Sequence, residues 1–311
     1  MTTLAIIGRA MRRALQWRLL VLSPIALAAA ALATLVPFIS FFGGLLDHSP
    51  RWHELSPALD SAALAQLTKA LMTPAAAELT TGIETSLVLA VLFAPLLAGA
   101  ALVVAETRAR PRLRALVSGA AGYYGRLLRM QIAALLPLVV AVILVSIVVA
   151  WSSGAADRAT SVAEVHTSTR IGWLVSAIVV FIAQLVIDAG RARLAAEPGR
   201  RSALFALGAG IKLVVKRPLR AAAVGLSATV VALLAAAVLL VLRQQIAQSG
   251  FVALLLAVVL AQLAVAAIAW GHAARLCGLV EIAYELAGKR AAARPPAVVV
   301  DSAPIADPPQ D

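Results

Sequence analysis

The sequence predicts an all-α fold, a polytopic transmembrane helical bundle with six spans. Of its 311 residues, 62% are hydrophobic and only 14% are charged, and the mean hydropathy is +0.93. An ordinary soluble domain has about 25% charged residues, so this class is excluded. Six apolar stretches are long enough to cross a hydrocarbon core about 30 Å thick. None of them alternates with period two, which favours helices over barrel strands.

Between the predicted spans, segments with many basic residues alternate along the chain with segments that have few. The predicted spans cover residues 19–42, 85–105, 132–151, 171–187, 221–242 and 251–270. Of the 27 lysines and arginines, 22 lie before the first span, between spans two and three, between spans four and five, and after the sixth. By the positive-inside rule, both termini are then cytoplasmic. We therefore expect a multi-pass protein of a bacterial cytoplasmic (inner) membrane, and the net charge of +12 needs no nucleic-acid partner.

Three of the basic segments also have the periodicity of amphipathic helices. They cover residues 1–18, about 112–129 and about 200–217, and each has an apolar stripe at helical spacing beside arginines or lysines. The stripes are Leu4, Ile7, Met11 and Leu15; Leu113, Leu116, Val117, Ala120, Tyr124, Leu127 and Leu128; and Leu204, Phe205, Ile211, Val214 and Val215. Such helices lie along an anionic headgroup layer. Membrane lipids are thus the expected partner, contacted by Arg112, Arg114, Arg200 and Arg201.

The same segments suggest an internal repeat. Shifting the second onto the third superimposes Gly122 on Gly210 and Arg129 on Arg217, and Gly8 precedes Arg18 by the spacing that separates Gly119 from Arg129. A threefold repeat of surface helix and helical hairpin follows as a hypothesis.

The remaining segments divide the chain further. Residues 19–290 form the predicted six-span domain, whose long outer loop, 43–84, holds a predicted short amphipathic helix at 57–72. Residues 291–311 are rich in alanine and proline and lack apolar periodicity, so a disordered cytoplasmic tail is expected there.

Part of the chain resembles a group of uncharacterised six-span bacterial membrane proteins. The resemblance covers spans two to five and is carried by Ala98-Gly99-Ala100, by residues 122–129 (GYYGRLLR), by residues 187–193 (IDAGRAR) and by Lys216-Arg217-Pro218. It implies a fold and a membrane location but no activity.

An acidic residue stands at the end of the fourth predicted span. Asp188 and Arg191 are spaced i to i+3, so their side chains can meet on a continuous helix. Glu106 and His272 likewise follow spans two and six, each with an arginine two or three residues later. We interpret the three as a recurring exit signal, with an interfacial ion pair at Asp188. The alternative is a relay of protons or cations. Gln184 and Gln262, inside spans four and six, are expected to hydrogen-bond between helices.

These patterns predict a non-catalytic role in organising, sensing or assisting at the membrane, without a cofactor. A transporter or permease subunit is the alternative, with a polar path near Gln184, Asp188 and Gln262. A distant third is an intramembrane serine hydrolase, because Ser227 and His272 resemble a rhomboid-type dyad.

No metal site is expected: His48, His53 and His166 lie in outer loops without metal-binding spacing. The protein partners cannot be predicted.

Overall fold

A computed structural model describes residues 2–47, 76–107, 111–197, 202–246 and 250–288, and every regular element in these ranges is an α-helix. The helices are α1 (Thr3–Ala14), α2 (Trp17–Asp47), α3 (Ala76–Glu106), α4 (Leu113–Ala133), α5 (Leu135–Asp157), α6 (Val162–Ala196), α7 (Ala203–Lys216), α8 (Pro218–Gln244) and α9 (Phe251–Leu286). Within the described ranges, six helical segments are long and apolar enough to cross a membrane: α2, α3, α4 with α5, α6, α8 and α9. The all-α polytopic fold is therefore confirmed, and the chain is a multi-pass membrane protein.

Several helices extend well past the predicted span limits. The fourth predicted span ended at residue 187 and the sixth at 270, whereas α6 continues to Ala196 and α9 to Leu286. The added turns consist largely of small apolar residues that are buried between helices, so the chain remains helical beyond the stretch that fits the hydrocarbon core. Helices α2 and α3 likewise extend into the outer loop predicted at 43–84. The helix predicted at 57–72 and the tail at 291–311 lie outside the described residues.

Each amphipathic helix leads into a span through a short break. Between α4 and α5 the break lies at Ala134, because Pro137 has no N–H to donate to the carbonyl of Ala133. Between α7 and α8, Pro218 occupies the first helical position of the following span. Leu15 and Gln16 separate α1 from α2.

The described residues form three units with the same order of elements: α1 to α3, α4 to α6 and α7 to α9. In each unit the two spans pack together as a hairpin. The amphipathic helix of each unit packs on the second span of another unit, α4 on α3, α7 on α6 and α1 on α9. This cyclic arrangement agrees with the threefold repeat suggested by the sequence.

Glycines mark the places where these units meet. A Cβ atom on Gly99 would lie 3.0 Å from the carbonyl oxygen of Ala120, and one on Gly278 would lie 3.5 Å from the Cβ of Ala10. A Cβ atom on Gly210 would lie 2.5 Å from the backbone nitrogen of Gly190. The equivalent of Gly210 in the second unit is thus Ala120, and the register that aligned it with Gly122 is wrong by two residues. Small residues at these positions allow the helices to approach closely.

A second repeat becomes visible once these glycines are aligned. In each unit a glutamate follows the packing glycine after seven residues: Gly99 and Glu106, Gly190 and Glu197, Gly278 and Glu285. The segment between glycine and glutamate is mostly buried in all three second spans.

The buried core lies at one end of the bundle, which we call the basic end. It comprises α1, α4 and α7 together with the C-terminal parts of α3, α6 and α9, and its largest buried side chains include Ile6, Leu102, Leu194 and Leu279. The opposite halves of the spans expose many large apolar side chains, as α5 does from Val139 to Trp151. Such surfaces are the ones that lipid chains cover in a membrane protein.

Candidate functional site

The most polar part of the core surrounds Asp188 of α6. Its side chain is fully buried. A buried carboxylate requires positive partners and hydrogen bonds, since desolvation of an isolated charge is very unfavourable. Arg191, one turn further along α6, donates from Nη1 to Asp188 Oδ1 over 3.1 Å. Arg275 of α9 donates from Nε to the other oxygen, Oδ2, over 2.5 Å.

Arg275 connects this carboxylate to two further helix positions. Its Nη1 donates to the hydroxyl oxygen of Thr229 in α8 over 3.2 Å, and its Nη2 lies 3.0 Å from Nδ1 of His272. A guanidinium can only donate. Nδ1 of His272 therefore accepts, and the imidazole is neutral with its proton on Nε2. The same Nδ1 lies 3.7 Å from Asp188 Oδ2, which is too long for a hydrogen bond.

Arg191 extends the network to a fourth helix, because its Nη2 donates to Oε1 of Gln131 in α4 over 3.3 Å. We call these six residues the Asp188 cluster: Gln131, Asp188, Arg191, Thr229, His272 and Arg275. It contains one carboxylate and two guanidiniums, with side chains 12% and 13% exposed, so its formal charge is +1 with His272 neutral. Such a network fixes the relative positions of α4, α6, α8 and α9 through directional contacts.

The three residues of the exit-signal hypothesis have different surroundings in the structure. Asp188 and Arg191 make the i to i+3 contact that their spacing predicts. However, α6 does not end at Asp188 but continues to Ala196. Glu106 ends α3 and accepts a hydrogen bond of 2.6 Å from the Tyr123 hydroxyl, outside the Asp188 cluster. The three predicted exit residues therefore occupy different levels of their helices.

The contribution of α9 to this site does not follow from the sequence pattern. Arg275 and His272 follow the sixth predicted span, and their meeting with Asp188 joins residues 87 positions apart in the chain for Arg275. Gln131 and Thr229 were not singled out either. The apolar residues that follow His272 in the sequence could have predicted this contact. They indicate that the helix continues past residue 270 and that Arg275 lies in a protein core rather than at a surface.

The other candidate residues stand apart from one another. Gln262 has a buried Oε1 atom without a hydrogen-bond partner among the described residues, so the expected bond between helices is not formed there. Gln184 is half-buried, one turn before Asp188. Ser227 donates to the carbonyl of Val224 within its own helix, and His272 contacts Arg275 instead. Arg112 and Arg114 are exposed, while Arg200 and Arg201 lie outside the described residues.

A second ion cluster attaches α1 to α9. Arg9 and Arg13 each approach a different oxygen of Glu281, both over 3.1 Å, and the Trp270 indole donates to the carbonyl of Met11. Because α1 is the first and α9 the last of the described helices, these contacts close the ring of three units.

Among the described residues, no three histidine, cysteine, aspartate or glutamate side chains lie together in a way that could hold a metal ion. Comparison of the chain with protein-family models, curated proteins and solved structures gives no match. The resemblance to uncharacterised six-span bacterial membrane proteins therefore stays a prediction.

Proposed function

We propose that the protein is a non-catalytic organiser of the bacterial cytoplasmic membrane, with its basic end seated against the anionic headgroups of the inner leaflet. The observation that carries this proposal is the orientation of the amphipathic helices. Each amphipathic helix packs one face, formed by its buried residues, on a neighbouring span. Other apolar residues of the same helix are not covered by protein.

Helix α7 illustrates the arrangement most clearly. Its buried face is formed by Ala206, Leu207, Gly210 and Leu213. The apolar stripe predicted from the sequence faces elsewhere: Leu204, Ile211 and Val215 are 65%, 47% and 71% exposed. Lys212 and Lys216 are exposed on the same helix. A helix with one face on the bundle, bulky apolar residues on another and lysines beside them suits the boundary between acyl chains and anionic headgroups.

Helices α1 and α4 repeat this arrangement in part. In α1, Ile6, Ala10 and Ala14 are buried, whereas two predicted stripe residues, Leu4 in the helix and Leu15 just after it, are exposed. In α4, Leu113 and Val117 are exposed near Arg112 and Arg114. All three helices therefore offer apolar and basic groups to the same membrane surface.

A transporter would need a polar path that reaches the candidate residues. Asp188 has no solvent exposure, and both of its oxygens accept hydrogen bonds from arginines. This conformation offers the carboxylate no free position for a transported cation, which favours an organising role over a transport role.

The lipid contact can be tested by removing three basic residues at once. Replacing Arg112, Arg114 and Lys212 by glutamine is expected to reduce the phosphatidylglycerol that copurifies with the protein by about half or more, because each basic group near an anionic surface contributes about 1 kcal/mol. Lipid would be quantified by mass spectrometry after extraction. The control replaces Arg170 and Arg243, which are exposed and lie at the opposite end. Equal losses in both variants would contradict a leaflet-specific role.

The proposed topology places the basic end in the cytoplasm. In a Cys277→Ala background, a membrane-impermeant maleimide is expected to label Ser168→Cys in intact cells and Ser118→Cys only after permeabilisation. Ser118 is exposed and Ser168 is partly exposed, whereas the native Cys277 is buried. Labelling is read from a mass shift of the purified protein. The reverse pattern, with Ser118→Cys labelled in intact cells, would overturn the orientation.

A further inference from the structure

A groove of about 470 Å³ lies between α5 and α6, at the end of the bundle opposite the basic end. Its lining includes Trp151, Arg158, Glu164, Thr167, Ser168 and Ile171. It exists because small residues face each other where the hairpin turns: Ala155, Ala159 and Ala163 leave space between the two helices. The groove is open along one side rather than enclosed.

The two charged residues of the groove carry opposite signs and are not paired with each other in the described part of the chain. Glu164 is held in place at the start of α6, where its Oε2 accepts hydrogen bonds from the backbone N–H and the hydroxyl of Thr160. Its own N–H donates to Ser161 Oγ, a reciprocal capping arrangement. Its Oε1 accepts no hydrogen bond from the described residues, so one carboxylate oxygen is available to a cation.

The groove also spans the depth of a headgroup layer. Trp151 and Ile171 lie at the limits of the predicted hydrocarbon spans, and tryptophan is enriched at membrane interfaces. Seven residues separate Ile171 from Glu164, about 10 Å along a helix. The polar layer of a bilayer adds about 5 to 7 Å on each side of its hydrocarbon core. The Arg158 guanidinium lies beside Gly154, at headgroup level, and Glu164 stands just beyond the outer limit of that layer, while the base of the groove is apolar.

We propose that this groove binds the headgroup of a zwitterionic phospholipid that carries a primary amine. The phosphate lies against the Arg158 guanidinium, the ammonium donates to Glu164 Oε1, and the glycerol and first acyl carbons cover Trp151 and Ile171. An anionic headgroup can pair with Arg158 but leaves the carboxylate of Glu164 without a cation. The site therefore prefers the zwitterionic lipid to an anionic one. This site is separate from the anionic-lipid contacts proposed for the basic end.

The test measures lipid adducts of the full-length protein by native mass spectrometry, with phosphatidylethanolamine or phosphatidylglycerol added at equal concentrations. Glu164→Gln keeps an acceptor for Thr160 and is expected to weaken phosphatidylethanolamine binding about tenfold, the loss of one hydrogen bond to a charged group. It should also remove the preference over phosphatidylglycerol at this site. Arg158→Gln should weaken binding of both lipids. Hydrogen exchange of residues 158–168 should slow when phosphatidylethanolamine is added to the wild-type protein.

Matched controls lie at the same end of the bundle but outside the groove lining: Asp157→Asn for the acid and Arg170→Gln for the base. Both are expected to retain wild-type binding. The proposal is overturned if Glu164→Gln keeps the phosphatidylethanolamine preference, or if the controls lose as much binding as the groove variants. Either result leaves the anionic-lipid proposal intact, because that proposal depends on different residues, a different lipid and the other end of the bundle.

Discussion

Replacing Asp188 by asparagine is expected to lower the free energy of unfolding by about 3 kcal/mol, the lower part of the range for breaking a buried ion pair from one side. The substitution keeps the size of the side chain and removes only its charge. It leaves the guanidiniums of Arg191 and Arg275, both nearly buried, without a counter-charge. The measurement is reversible unfolding in mixed detergent micelles, with helicity followed as denaturing detergent is added.

The two arginines should differ in their effects. Arg191 lies on the same helix as Asp188, so Arg191→Met removes one local contact and the bond to Gln131. Arg275 connects α9 to α6 and, through Thr229, to α8. Arg275→Met is therefore expected to be the more destabilising of the two. Arg243→Gln, an exposed change at the opposite end, should stay within about 0.5 kcal/mol of wild type.

A combined variant separates the role of charge from that of packing. Asp188→Leu, Arg191→Met and Arg275→Met together remove all three charges, and stability should recover relative to Asp188→Asn because apolar residues of similar size can replace a buried ion network. An unfolding free energy of Asp188→Asn that equals the wild-type value would show that the cluster does not hold the helices together.

The fold was predictable from this sequence because span length and charge asymmetry are strong signals. Twenty apolar residues in a row have few alternatives to a membrane helix, and basic residues that alternate from segment to segment order the helices along the chain. The helix ends were not predictable in the same way. Beyond residue 187 the sequence contains charged residues among alanines, and hydropathy cannot distinguish a helix that leaves the membrane from one that continues into a protein core.

The candidate site was only half predictable for a related reason. The contact between Asp188 and Arg191 follows from helical spacing and needs no knowledge of the fold. Arg275 reaches the same carboxylate only because α9 packs against α6, a relation between distant parts of the chain that no local pattern contains. The repeat of glycine and glutamate was visible in the sequence, but its register became clear only from the helices that the glycines contact.

Close packing of α7 on α6 provides the second large effect. Gly210→Ala is expected to destabilise the protein by about 1 to 3 kcal/mol, the usual range for overpacking. The added Cβ would lie 2.5 Å from the nitrogen and 2.8 Å from the Cα of Gly190, and both are backbone atoms that cannot rotate away. To relieve this steric overlap, α7 must move away from α6. The overlap lies beside Ala189, the residue after Asp188.

The same helix contains a matched control, Gly208, around which an added Cβ would meet nothing within 4 Å. Alanine is favoured over glycine in a helix interior by about 0.8 to 1 kcal/mol, so Gly208→Ala should stabilise the protein slightly. The two substitutions make the same chemical change two residues apart in one helix, and only the contact with Gly190 separates them. In the same detergent unfolding measurement, we therefore expect Gly210→Ala to lower the free energy of unfolding and Gly208→Ala to raise it. Stabilisation by both variants would mean that α7 does not depend on backbone contact with α6 for its position.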